Sequence, residues 1–113
     1  MLKIGIIGCG KIAQVRHIPE YLSNEHAQII AFHDRTRERA EKLATKHGGK
    51  VYQSYHELLE DREIDAVSVC VANHLHARVT IDALQAGKHV LCEKPMATTI
   101  EDCEAMVVTA KTA

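Results

Sequence analysis

Short apolar runs alternate with longer segments of helical period along the whole of this sequence, and that alternation marks a parallel sheet covered by helices. Leu2 to Ile7, Gln28 to His33, Val51 to Tyr52, Ala66 to Val71 and His89 to Cys92 are the runs without helical period. All but the third are apolar enough to be buried on both faces. Parallel strands need right-handed crossovers, so the expected fold is a doubly wound α/β (Rossmann) sheet in the order 3-2-1-4-5, with its ligand crevice between the first and fourth strands.

The helical segments carry their own punctuation. Lys11 to Leu22 reads as the first helix, kinked or broken at Pro19, which has no N–H to bond back to Val15. Thr36 to His47 is the clearest helix, with Thr36 as cap and Gly48-Gly49 as stop. Ser54 to Glu57 has capping-box spacing before Leu58, and Gly87 closes a helix begun near His76. A second capping box, Thr98 to Glu101, opens a last helix that runs to near Ala113 with Cys103, Met106, Val107 and Ala110 on one face.

Charge and cysteine usage narrow the class. The formal net charge of the 113 residues is -1 and no basic block stands out, so nucleic acid and membrane surfaces are not expected partners. Cys9, Cys70, Cys92 and Cys103 are widely separated, which suits reduced, buried thiols in the cytoplasm. His74 and His76 lie two apart, the wrong spacing for two ligands on one helix face, so no metal site is expected. His17, His26, His33, His47 and His56 read as surface or cap residues.

Chemistry enters at the first turn. Gly8-Cys9-Gly10-Lys11-Ile12-Ala13 fits G-x-G-x-x-[G/A] between a strand and a helix. Gly8 allows the turn, Gly10 lets a pyrophosphate approach the backbone, and Ala13 lets the helix pack on the strand. Free N–H groups at the helix start then meet the phosphates. Asp34, ending the second strand, can accept both ribose hydroxyls of NAD. A 2′-phosphate about 4 Å from that carboxylate would cost up to roughly 4 kcal/mol at an effective dielectric near 20. Arg35 argues the other way, since its guanidinium could stack on adenine or neutralise a 2′-phosphate, so NADP stays possible.

The run Ala86-Gly87-Lys88-His89-Val90-Leu91-Cys92-Glu93-Lys94-Pro95-Met96-Ala97, with the Gly5 to Ala13 turn and Asn73-His74-Leu75-His76, resembles the Gfo/Idh/MocA oxidoreductases. The resemblance implies hydride transfer between NAD(P) and a hydroxyl-bearing carbon of a sugar, cyclitol or related polyol. It also implies that Lys94 sits near substrate and nicotinamide as the catalytic lysine, and that Val71, Ala72, Asn73, His76 and Glu93 lie along the cofactor. Where the family usually reads Thr-Pro-Asn, this chain has Val71-Ala72-Asn73. Glu93 could orient Lys94 or pair with another helix. Pro95 holds Lys94 extended, and partial desolvation beside a cationic ring would disfavour its ammonium.

The resemblance further implies a substrate domain, with its Asp and His, and a final strand beyond these residues, in a homo-oligomer. The chain is therefore expected to be the dinucleotide half alone, inactive by itself and prone to self-association at the open edge of its fifth strand. Two other readings use the same glycine turn and Asp34: a non-catalytic dinucleotide sensor, which has no use for Lys94, and an S-adenosylmethionine methyltransferase, which Ala13 and the Glu93-Lys94-Pro95 corner fit poorly.

Overall fold

The computed structural model describes residues 1–112. Five strands, β1 (Leu2–Ile7), β2 (Ala27–His33), β3 (Lys50–Val51), β4 (Ala66–Val69) and β5 (His89–Cys92), form one sheet in the order β3-β2-β1-β4-β5. All four pairings are parallel. The expected order and class hold. β3 sits one residue earlier than the sequence suggests and β4 stops two residues sooner, because Cys70 and Val71 already turn into the loop above the sheet.

Side-chain alternation builds a core on each face of this sheet. Ile4 and Ile6 of β1 face Ala13, Ile18, Ala40 and Leu43, which belong to the first helical segment and to α2 (Arg37–His47). Ile7 faces the other way with Leu58 and Leu59 of α3 (Tyr55–Glu60) and Val79 and Ala83 of α4 (His76–Gln85). Gly5 shares that second face, where an added Cβ would come within 2.9 Å of Leu58. The missing side chain is the space that Leu58 fills.

The first helix departs from expectation in an informative way. It does not break at Pro19; instead Ala13–His17 forms a π-helical turn, in which the Ile18 N–H reaches the Ala13 carbonyl, and α1 (Ile18–Leu22) follows directly. Widening the turn takes the Val15 carbonyl out of register with Pro19, which has neither the N–H nor the room for it. The same turn carries His17 inward. It is 5% exposed, so its reading as a surface residue is corrected.

Several caps also differ. Thr36 precedes α2 but its hydroxyl caps nothing; its backbone N–H goes to Asp34 instead. Ser54 caps α3 as expected by accepting the Glu57 N–H at 3.1 Å. In the last helix, α5 (Ile100–Thr112), the capping hydroxyl is that of Thr99, which accepts the Asp102 N–H, one residue beyond the Thr98 expected. Ala113, near which that helix was expected to end, lies outside the described residues. Of its apolar stripe only Met106 is buried, while Val107 is exposed.

β5 is likewise not buried on both faces. It is an edge strand, and Leu91 is 51% exposed. Its connection from α4 is tied down by Lys88, whose buried ammonium donates to the Asp61 and Ile64 carbonyls at 2.7 Å each. That fixes where β5 emerges, and so where the residues after Cys92 stand.

At the turn after β1 the packing is backbone on backbone. The turn after β1 lies on the end of β4, and Gly8, at φ +94°, would carry a Cβ only 2.6 Å from the Cys70 carbonyl group. Left-handed backbone costs an ordinary residue about 1–2 kcal/mol and overpacking about 1–3 more. Gly8→Ala is therefore expected to lower stability by about 2–5 kcal/mol, read as a lower urea midpoint at unchanged slope. A midpoint equal to that of the unmutated chain would show that the β1 turn can lift off β4 without loss.

Candidate functional site

The carboxyl ends of β1, β2 and β4 open into a cleft of about 370 Å³. Gly8 and Gly10 line it from the β1 turn; Asp34, Arg35, Thr36 and Arg39 from the start of α2; Cys70, Val71 and Ala72 from the loop after β4. Tyr55, Leu75, Arg78 and Val79 close the opposite wall. This is the point where the strand order reverses, the place at which open α/β sheets take their ligands.

Asp34 organises the floor. One carboxylate oxygen accepts the Cys9 N–H and the other the Thr36 N–H, each at 2.8 Å. The glycine turn and the start of α2 are thereby tied to a single side chain. Gln14 reaches back to the Cys9 carbonyl at 2.9 Å and holds the turn from the helix side. Each Asp34 oxygen keeps a further lone pair for a hydroxyl in the cleft.

Gly10 answers whether a dinucleotide fits. An added Cβ there would meet nothing within 4 Å, so the backbone faces open space just where Gly8 faces a wall. The two glycines have opposite reasons: Gly8 lets chain approach chain, and Gly10 leaves the cleft open beside the amides that begin a helix. The residues present fit a pyrophosphate, and Asp34 fits the adjoining ribose.

Cys9 and Cys70 lie beneath this surface. Burial, chiefly, pushes each thiol up to about 12, helped by the Asp34 charge at Cys9 and the Glu93 charge at Cys70. Both are protonated and inert at neutral pH, as small buried side chains are. Ala13 is fully buried under the turn, Ile12 is half-buried against the same core, and Lys11 is exposed at the helix start.

The remaining residues named from the sequence gather at a second place, around the corner after β5. His76 is 1% exposed, with Nε2 at 2.8 Å from the Val71 carbonyl and Nδ1 at 2.5 Å from that of Pro95. The ring thus lies between the loop after β4 and the corner, where a neutral imidazole donates to one of the two carbonyls, and it does not line the cleft. Asn73 starts a short 3₁₀ turn and is exposed. Glu93 points back under the sheet to His17 Nε2 at 2.6 Å, and that hydrogen bond is the main reason its carboxyl lies below the usual carboxylate range. Lys94 is exposed and, among the described residues, forms no ion pair. The desolvation expected for it is thus not provided by its neighbours in this chain.

The residues named from the sequence therefore fall in these two places, and several that line the cleft are not among them. Arg39 follows Arg35 by one helical turn, a spacing that could have been noticed. Tyr55, Leu75 and Arg78 come from segments whose pattern reports only packing, and His17 was hidden by the turn before Pro19.

Comparison with known proteins agrees with this geometry. Residues 2–113 match the family model of the Gfo/Idh/MocA oxidoreductases, described as an oxidoreductase family with an NAD-binding Rossmann fold. An uncharacterised oxidoreductase of Rhizobium meliloti is 44% identical over 108 residues, which is 95% of this chain and 32% of that protein. The 1,5-anhydro-D-fructose reductase of Ensifer adhaerens is 40% identical over 114 residues, covering 100% of this chain and 34% of that enzyme. Among solved structures, the 3-ketoreductase KijD10 of Actinomadura kijaniata, in complex with NADP and TDP-benzene, superposes with a TM-score of 0.93 at 35% identity, over 98% of this chain and 34% of that one. The chain spans about a third of the length of the curated relatives it matches. Turn, cleft and matches together make it a member of the Gfo/Idh/MocA oxidoreductase family, carrying that family's NAD(P)-binding Rossmann domain.

Proposed function

We propose that this chain is the dinucleotide-binding half of an oxidoreductase that moves a hydride between NAD(P) and a hydroxyl-bearing carbon of a sugar, cyclitol or related polyol, with a second unit supplying the rest of the substrate pocket. The observation that carries the reading is the open backbone at Gly10 beside the Asp34 clamp. In this reading Gly8 to Ala13 hold the pyrophosphate, Asp34 the adenosine ribose, and Val71, Ala72 and Asn73 the way toward the nicotinamide. Arg35 and Arg39 flank the adenosine end of the cleft. When bound, the nicotinamide ring supplies or accepts the hydride.

The chain's own contribution to the chemical step is Lys94. Lys94 follows β5 at the carboxyl edge of the sheet, the edge at which the cleft opens, and among the described residues no carboxylate pairs with it. There it hydrogen-bonds the reacting hydroxyl and helps move its proton. A substrate unit closing over the corner would desolvate the exposed amine and shift it toward useful acid/base range.

Three outcomes test this reading. Gly10→Ala is expected to leave stability unchanged or raised by up to about 1 kcal/mol, while NADH affinity falls at least about tenfold, or about 1.4 kcal/mol. Calorimetric titration that finds NADH binding intact in Gly10→Ala would move the pyrophosphate elsewhere. NADH is expected to bind more tightly than NADPH, and Asp34→Ser to narrow or reverse the difference while weakening both, since it also frees the turn. Equal affinities in the unmutated chain would mean that Arg35 and Arg39 set the preference. Finally, Lys94→Ala in an enzyme carrying this chain should cut turnover by about 100- to 10,000-fold, the range of a lost general acid/base, with NADH affinity nearly unchanged. A mutant that keeps most of its turnover would refute the catalytic role, and one that loses the cofactor would make Lys94 a brace for the turn.

A further inference from the structure

A file of polar side chains crosses the core beneath the corner and ends on the residue before Lys94. Tyr21 of α1 meets Ser68 of β4, hydroxyl to hydroxyl, at 2.5 Å; Ser68 Oγ is 3.0 Å from His17 Nδ1; His17 Nε2 is 2.6 Å from Glu93 Oε2. Ser68 is wholly buried and His17 nearly so. With a neutral imidazole the donors run one way: the Tyr21 hydroxyl donates to Ser68, the Ser68 hydroxyl to Nδ1, and the Nε2 N–H to the carboxylate. Each donor then ends on an acceptor, as a buried network requires.

Packing alone does not call for this. An apolar side chain at Ser68 or His17 would fill the same core without desolvating polar groups. The file touches the site at one point only, Glu93. The π turn is the device that brings His17 there, since it delivers the side chain to the inner face just before Pro19 restarts an α-helix.

We propose that His17 is a positioning residue for Lys94: by holding the Glu93 carboxylate under the sheet, it keeps the neighbouring amine unpaired and free to meet substrate. The proposal rests on the oxidoreductase reading above for its purpose, though not for its geometry. Lys94 lies near enough for its cation to help hold the Glu93 carboxyl low, yet the two form no ion pair. Released from His17, the carboxylate is left with the backbone N–H of Lys94 and with that cation. A carboxylate paired to the ammonium stabilises the charged form, so less of the neutral, nucleophilic amine is present than when Lys94 is free.

The test needs no substrate. The rate at which limiting acetic anhydride acetylates Lys94, measured by peptide mass spectrometry against exposed Lys42 as internal reference, is compared in variants shown by circular dichroism to be folded. His17→Asn keeps a polar group near Ser68 but cannot reach Glu93; His17→Gln can. His17→Asn is expected to slow Lys94 about two- to five-fold, the range an exposed ion pair supports. Both His17→Gln and the double variant His17→Asn with Glu93→Gln are expected to restore the rate. Should His17→Asn fail to fold, His17→Leu gives the same comparison. An unchanged rate in the folded variant overturns the proposal, and so does a slowing that persists when Glu93 is also replaced, because that is general loosening of the corner. Calorimetry with NADH runs alongside on the unmutated chain: absence of binding there would sink the oxidoreductase reading, while the acetylation rates still judge whether His17 governs Lys94.

Discussion

The contact on which the rest depends is the one between two stretches of bare backbone, the turn after β1 and the end of β4. Because Gly8 has no side chain, that turn lies flat against Cys70 and Val71. Everything that shapes the cleft is referred to this contact: the helix start is aimed over it, and Val71 and Ala72 form its facing wall. A single methyl group at Gly8 would push the wall and the turn apart, so the geometry of the cleft and the stability of the sheet are set by the same few ångströms.

Asp34 shows how one residue can serve fold and ligand together. Its carboxylate satisfies two backbone N–H groups that the loops would otherwise leave without partners. Charge-assisted bonds of this kind are the strong ones. Both oxygens are held by protein N–H groups, so a ribose bound as proposed would meet acceptors fixed by the fold and little ordering would remain to be done on binding. The same economy limits engineering, because a change made at Asp34 to alter cofactor preference also loosens the glycine turn proposed to hold the phosphates.

The strand order, the glycine turn and the position of Asp34 were legible in the sequence because each rests on a local rule: period two, a tight turn, an acidic residue at a strand end. What the sequence hid was long-range. The runs Val51 to Tyr52 and Ala66 to Val71 mark strands but not their last residue, which depends on where the partner strand ends. β5 reads as fully buried because its residues are apolar, yet an edge position leaves Leu91 half exposed. His17 looked like a surface residue because a regular α-helix would turn it outward, and nothing local announces a π turn. His76 reads as a residue of the cofactor wall, and nothing local announces that its ring is buried between the Val71 and Pro95 carbonyls.

Those two histidines explain the corner between them. The His76 ring lies against the Pro95 carbonyl and His17 holds the Glu93 side chain, so the residues on either side of Lys94 both meet buried side chains of the core. Lys94 is the member of the three whose side chain is left loose. In the proposed reaction, a long flexible amine on a rigid mount would find the reacting hydroxyl without ordering its own backbone, and the cost would be confined to a few rotatable side-chain bonds. The mount is expensive, since it buries two imidazoles and a serine in a core that apolar residues could fill. Buried polar groups of this kind make sense where orientation is needed more than stability, and here what they orient is the corner itself.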